Sequence, residues 1–505
     1  MQKSAIIEIG KDSAWYVSAA VATALVGFLA IPILTRIFSP GEYGVFSLVN
    51  TAIILVSPIF HSYMSSAIIR FYPEYEIKGQ LDVFYSTVFH YFPHFLVLFL
   101  GIVLPVTALF IPLGNYRLLI SIAIAIFPLF VLFDVLKSLL RARQMSWQFS
   151  LLTVFVQFGR YIVGAALAEW GHQGVKGPFW GWLGALLIAV PLEFIMLSAC
   201  KKIHWKTNST KLQKEFFRFG FYLVFGTFLS EILIAADRYM VQIFKGSYQV
   251  GLYSVTYTLV QSLEMIMISF IMLAAFPVIM KVYETEGEVP TITLISKITR
   301  YFIVLLVPIV FGLYVMREPV MRVVTTSKYL PATSIFLPLL GGILLMNLAW
   351  IPSLAFYIRK RTKIILLPLG VAAGANIVLN LLMIPWIGYR GAAWATLISY
   401  LLYFIIITAV STRYLHWDFP WFSSIRIVAA GGIMAAGVWA IMQTGISGLG
   451  GLIVLAASGA AIYFLALIVL GEHTKAEREF VVEMLSRLPA LRRIIQRRSR
   501  KKEED

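Results

Sequence analysis

Charge is what this chain has least of. Only 13% of its 505 residues are Asp, Glu, Lys or Arg, where a soluble domain carries about 25%. Apolar residues make up 59% and the mean hydropathy is +0.83, so a water-soluble globule is excluded. Cysteine is nearly missing: Cys200 stands alone, and no internal disulfide framework exists. There is no G-x-x-x-x-G-K-[ST] and hence no P-loop ATPase. There is no H-E-x-x-H and no G-x-S-x-G, so neither a zincin-type metal site nor a nucleophile elbow is expected. No nucleic-acid-binding module is recognisable. No stretch alternates apolar and polar residues with period two, which argues against a membrane β-barrel. The outer loops are short, leaving little room for the groups of a membrane glycosyltransferase or polymerase. The reading is of a non-enzyme needing no cofactor or metal.

What is present is a long series of apolar runs. A helix needs roughly 20 apolar residues to cross about 30 Å of hydrocarbon. Fourteen stretches qualify: 14–34, 43–63, 84–110, 118–140, 149–168, 178–199, 216–236, 250–279, 298–316, 332–357, 364–385, 391–410, 425–443 and 449–471. The first follows Lys3 and Lys11, exceeds a signal-peptide core and is expected to stay as a span. Of the 42 Lys and Arg, alternation from a cytoplasmic N-terminus puts nine outside, one mid-span and 32 inside. That bias places both termini in the cytoplasm of a plasma (inner) membrane protein. It also accounts for the net charge of +17 without nucleic acid as a partner.

Two echoes organise the chain. Ile37-Phe38 and Gly44-Val45-Phe46-Ser47 reappear as Ile243-Phe244 and Gly251-Leu252-Tyr253-Ser254, 206 and 207 residues further on. Gly174-Val175-Lys176-Gly177 with Trp180 reappears as Gly388-Tyr389-Arg390-Gly391 with Trp394, at an offset of 214. The first echo joins spans 1 and 2 to spans 7 and 8; the second joins spans 5 and 6 to spans 11 and 12. The fold expected is all-α and polytopic: two pseudo-symmetric six-helix bundles of parallel topology plus two C-terminal helices. The corresponding segments are a bundle over 1–200, a cytoplasmic linker over 201–215, a bundle over 216–411, two further spans over 412–471 and a basic tail over 472–505. The tail combines helical apolar spacing with many Arg and Lys, as on an interfacial helix against anionic membrane lipid or a solvated topology signal.

Ionisable groups inside spans are functional candidates by default. Arg160 lies mid-span in span 5 and Glu264 in span 8; an Arg–Glu pair across the bundle is the structural alternative. Glu231 lies in span 7, with Asp237 and Arg238 at its outer end, where they read equally as an interfacial pair. Asp134, Lys137 and Arg141 share one face of span 4, Glu193 comes late in span 6, and His90 and His94 lie four apart in span 3. Asn347, Asn376 and Asn380 are expected to hydrogen-bond between helices.

Three segments carry a family resemblance. They are Leu34-Thr35-Arg36-Ile37-Phe38-Ser39-Pro40-Gly41-Glu42-Tyr43-Gly44, then Asp237-Arg238 with Val250-Gly251-Leu252-Tyr253-Ser254, and then Asn376 to Pro385 with Gly388 to Thr396. In order and in combination they resemble polysaccharide-transport proteins of the multidrug/oligosaccharidyl-lipid/polysaccharide (MOP) exporter superfamily, which include Wzx-type O-antigen flippases. The resemblance implies two bundles around a central cavity. It implies flipping of undecaprenyl-diphosphate-linked oligosaccharide units for surface polysaccharide such as lipopolysaccharide, with polymerase and assembly proteins as partners. Arg160, Arg36 and Arg238 are the cations carried over to the lipid-linked substrate. Glu231, Glu264 and Asp134 are the ion-coupling carboxylates. A lipid II flippase and a cation-coupled multidrug antiporter are the alternatives in the same superfamily.

Overall fold

The computed structural model describes residues 2–110, 116–198 and 209–472, with side chains left aside over 2–14, 98, 102–110, 221–223, 263–271, 273 and 274. Every regular element among the described residues is helical. The first repeat contains α1 (Gln2–Ile37), α2 (Pro40–Ile77), α3 (Leu81–Phe110) and α4 (Arg117–Ala142). Its fifth span is broken into α5 (Ser146–Phe158), a π-helical turn (Gly159–Val163) and α6 (Gly164–Glu169), and its sixth is α7 (Gly177–Leu197). The second repeat begins with α8 (Thr210–Lys245), α9 (Ser247–Glu286) and α10 (Glu288–Val315). After α11 (Arg317–Val324) come α12 (Phe336–Leu348), α13 (Trp350–Ile358), α14 (Leu366–Ile387) and α15 (Tyr389–Ser411). The last two helices are α16 (Trp421–Met442) and α17 (Gly448–Val469).

Among the described residues, twelve helical stretches are long and apolar enough to cross a membrane, and the bent α8 makes thirteen. Of the fourteen expected spans, the one at 250–279 falls in α9, part of whose side chains lie outside the described residues. This is a multi-pass membrane protein. Large apolar side chains such as Trp386, Ile195 and Leu382 point outward, as suits a chain whose solvent on that side is lipid.

The turns follow from local chemistry. Between α1 and α2, Ser39 and Glu42 form a capping box: the Ser39 N–H donates to Glu42 Oε2 at 2.9 Å, and the Glu42 N–H donates to Ser39 Oγ. Pro40 at the first helical position is pre-set for the helix. The equivalent turn between α8 and α9 uses Gly246 at φ +79° instead. Gly174 and Gly388, the first glycines of the second echo, both take positive φ, +52° and +62°.

Two compact units are present. One holds 1–295 and 317–417, the other 296–316 and 418–505. Packing therefore groups most of α10 with α16 and α17, whereas the sequence repeat pairs span 9 with span 3. In the larger unit, Phe60, Phe95, Phe99 and Phe127 fill the first bundle; Phe99 and Phe127 stack at 4.7 Å. Leu233, Phe356, Leu369, Tyr400, Tyr403 and Ile407 fill the second. In the smaller unit, Arg300 Nε donates to Glu472 Oε1 at 2.6 Å and Tyr463 Oη to the Val304 carbonyl at 2.8 Å. Gly431 lies so near Val307 that a Cβ would meet its side chain at 2.5 Å.

Candidate functional site

In the larger unit a cavity of about 520 Å³ is lined from both repeats, by α1, α2 and the broken fifth span on one side and by α8 and α9 on the other. Its ionisable lining includes Arg160, Arg238 and Glu231, with Asn50, Gln157 and Gln261 among its amides.

Arg160 sits on the π turn. A π turn adds a residue to the helical repeat and re-aims the side chains around it. Small residues let α7 approach here backbone to backbone. A Cβ on Gly181 would stand 2.3 Å from the Gly159 carbonyl oxygen, and one on Gly164 2.4 Å from Pro178 Cα. That approach brings Trp182 beneath Arg160, whose Cζ lies 3.9 Å from the indole centroid and 4.9 Å from the Tyr161 ring. Stacking holds the guanidinium by its face and leaves its edge free. Arg160 is 4% exposed, and its Nε and Nη2 find no hydrogen-bond partner among the described residues.

Arg238 is 6% exposed. Its Nη1 donates to the Ile234 carbonyl at 2.9 Å and its Cζ lies 4.5 Å from the Tyr257 centroid. Its Nε has no hydrogen-bond partner among the described residues. Asp237 is fully buried and turns to other groups: its carboxylate accepts from Tyr253 Oη, from the Arg238 backbone N–H at 2.8 Å and from Thr396 Oγ1 at 3.4 Å. Both side chains of the pair are therefore buried within the larger unit. Glu231, seven residues before Arg238 on α8, puts a carboxylate on the same cavity.

The other sequence candidates lie elsewhere. Arg36 is exposed and absent from the cavity lining; its Nη1 donates to Pro32 O at 2.8 Å and its Nη2 to Val323 O at 3.2 Å. Asp134 lies in the interior of the first bundle, with Lys137 Nζ at 2.5 Å and His61 Nε2 at 3.5 Å. The Glu264 side chain lies outside the described residues. Asn380 Nδ2 donates to Asn376 Oδ1 at 2.9 Å and Asn347 Nδ2 to Ile343 O at 2.8 Å. Those bonds run within one helix, correcting the expectation of interhelical partners: at i and i+4 the nearest acceptor is the helix's own preceding turn. Asn50, Gln157 and Gln261 went unread. Tyr43, Ser47, Asn50 and Ile54 recur at helical spacing on α2 and line the cavity together, which is the signal that would have found that face.

At the end carrying the α1–α2 turn the repeats close on each other. Tyr329 Oη donates to the Phe38 carbonyl at 2.9 Å, and Gly44 of α2 meets Gly251 of α9 backbone to backbone.

Comparison with known proteins gives the fold a context. A search of curated proteins returned no match. Among solved structures, the lipid II flippase MurJ in an inward closed conformation aligns with a TM-score of 0.71 at 15% identity, covering 91% of this chain and 99% of that one. An inward-facing multidrug resistance MATE family transporter of the MOP superfamily aligns with a TM-score of 0.56 at 15% identity, over 77% and 94%. A MOP superfamily transporter from Pyrococcus furiosus aligns with a TM-score of 0.54 at 15% identity, over 79% and 95%. The chain thus has the MurJ and MATE fold. The family model described as polysaccharide biosynthesis protein matches residues 9–283. That is more than half of the chain, which belongs to the polysaccharide biosynthesis protein family.

Proposed function

We propose that this protein flips a lipid-linked oligosaccharide, an undecaprenyl-diphosphate-linked repeat unit, from the cytoplasmic to the outer leaflet of the plasma membrane for surface polysaccharide assembly. The observation that carries this is one cavity holding two buried arginines with unused donors. A diphosphate loses its hydration on entering a bilayer, and guanidinium edges replace that hydration with charge-assisted bonds. Arg160 and Arg238 are assigned to the diphosphate, and the amides and tyrosines of the lining to the sugars. Glu231 keeps a carboxylate in the same space for a coupling cation or an amino sugar. The polyprenyl tail stays in lipid.

With the N-terminus cytoplasmic, the closed α1–α2 end is the outer end. This conformation is then sealed toward the outside, and alternation requires the Gly44–Gly251 contact to part. A lipid II flippase is the second reading, favoured by alignment to that fold over 99% of its length. A drug antiporter is supported less: the aligned MATE transporter covers 77% of this chain.

A conditional depletion strain separates these. Depletion is expected to strand lipid-linked repeat units on the cytoplasmic leaflet, and Arg160→Ala with Arg238→Ala to fail to restore surface glycan. Restoration by that double variant counts against the assignment. Lysis with loss of peptidoglycan marks the second reading, and altered drug susceptibility alone the third.

A further inference from the structure

The two repeats differ where their third and fourth spans join. The first spends six residues between α3 and α4, 111–116; the second spends twenty between α10 and α12, 316–335. Most of the longer segment is helical: α11, then a 3₁₀ helix over Ser327–Ile335. α11 buries Val320, Met321 and Val324 and leaves Glu318 and Arg322 exposed. Nine residues is long for a 3₁₀ helix, whose hydrogen-bond geometry is poorer than that of an α-helix, and Pro331 within it brings no N–H.

Its carbonyls therefore accept from side chains of their own repeat. Tyr389 Oη of α15 donates to the Pro331 carbonyl at 2.8 Å. Thr256 Oγ1 of α9 stands 3.4 Å from the Ala332 carbonyl and 3.3 Å from that of Leu252.

A second set of contacts reaches across to the first repeat. The last carbonyls of a helix have no partner within it, and here two helix ends supply each other. The Phe38 carbonyl, just past α1, accepts from Tyr329 Oη at 2.9 Å. In return Arg36 Nη2 donates to the Val323 carbonyl at 3.2 Å, at the C-terminal end of α11 where a cation is favoured. Thr35 Oγ1, bonded to Ile31 O at 2.8 Å, adds a long contact of 3.4 Å to the Val324 carbonyl. The repeat equivalents of Thr35 and Arg36 are Val241 and Gln242; neither the arginine nor the long segment recurs.

These contacts lie over the cavity. Tyr329 is 0% exposed and meets the ring of Tyr43, a lining residue, edge to face at 6.1 Å.

We propose that residues 317–335 are a strap that locks the outer end of the cavity, carried by the second repeat through Tyr389 and Thr256 and latched to the first through Tyr329 and Arg36. Outward opening gives the Phe38 and Val323 carbonyls to water and moves the strap with the second repeat. Arg36 is exposed, so its guanidinium is hydrated on release. Each latch bond is worth only roughly 2- to 12-fold in an equilibrium constant, which keeps the lock reversible. What the strap gates rests on the transport reading; the latch between the repeats does not.

The test uses the full chain in lipid nanodiscs, with Cys200→Ala and spin labels at exposed positions. Lys328→Cys on the strap is paired with Glu169→Cys of the first repeat, or with Arg390→Cys of the second. Tyr329→Phe and Arg36→Ala are each expected to raise a longer strap-to-169 population roughly 2- to 12-fold and to leave the strap-to-390 distance unchanged. An unchanged strap-to-169 distance in both variants overturns the latch. A strap-to-390 distance that lengthens as well overturns carriage by the second repeat. In proteoliposomes with undecaprenyl-diphosphate-linked oligosaccharide, Arg36→Cys with Val323→Cys, fully bridged by a short cleavable thiol reagent, is expected to stop flipping, and cleavage to restore it. Flipping by the bridged protein at the unbridged rate overturns the strap as a gate. No flipping by the native protein sinks the transport reading, and the distances still decide the strap.

Discussion

Gly44 and Gly251 lie 207 residues apart in sequence and touch backbone to backbone. A Cβ on Gly44 would stand 1.9 Å from the Ser247 carbonyl oxygen, and one on Gly251 1.8 Å from that of Pro40. Pro40 and Ser247 are themselves equivalent in the repeat, so the contact is reciprocal, as a two-fold relation demands. Gly44→Ala and Gly251→Ala are each expected to destabilise by about 1–3 kcal/mol through overpacking. The double variant should cost less than the sum, because either one alone already spreads the crossing. Thermal unfolding in detergent measures this; additive or neutral effects would mean a looser crossing.

Arg160 provides the second prediction. Each charge-assisted bond contributes about 1.5–3 kcal/mol, so Arg160→Ala should weaken binding of undecaprenyl diphosphate roughly 10- to 150-fold. Arg160→Lys should recover only part of this, because an ammonium has neither the fork nor the flat face that rests on Trp182. Equilibrium binding in nanodiscs checks it, and full recovery by lysine would argue for charge alone.

The Asp237 network is asymmetric. Tyr253 Oη donates directly to the carboxylate, while Thr396 Oγ1 stands at 3.4 Å and also donates to the Ala392 carbonyl at 2.9 Å. Tyr253→Phe is therefore expected to cost about 1–3 kcal/mol and Thr396→Val less, since a buried carboxylate that loses its best donor bears the desolvation. Unfolding midpoints of the two variants decide; equal losses would show the carboxylate is held otherwise.

Orientation can be read by labelling. In a Cys200→Ala background, Lys78→Cys follows α2 and Glu169→Cys ends α6, both in exposed positions. An impermeant thiol reagent applied outside intact cells should reach the second and not the first. The opposite pattern would invert the positive-inside assignment.

What the sequence determined by itself is what one helix can carry alone. Apolar runs are additive along the chain, so membrane spans were legible. The turn motifs around Gly44 and Gly251 are local, so the duplication was legible too. Arg160 and Arg238 could be singled out because a buried cation is costly wherever the helix faces. Only the tertiary structure decided which groups meet. It put Trp182 under Arg160 and His61 beside Asp134, left Arg36 outside, turned Asn380 onto Asn376, and gathered residues 296–316 with α16 and α17. A helix turns by about 100° per residue, so partner choice hangs on rotations and close approaches. Those are set by which glycines let two backbones touch, and no apolar run records them.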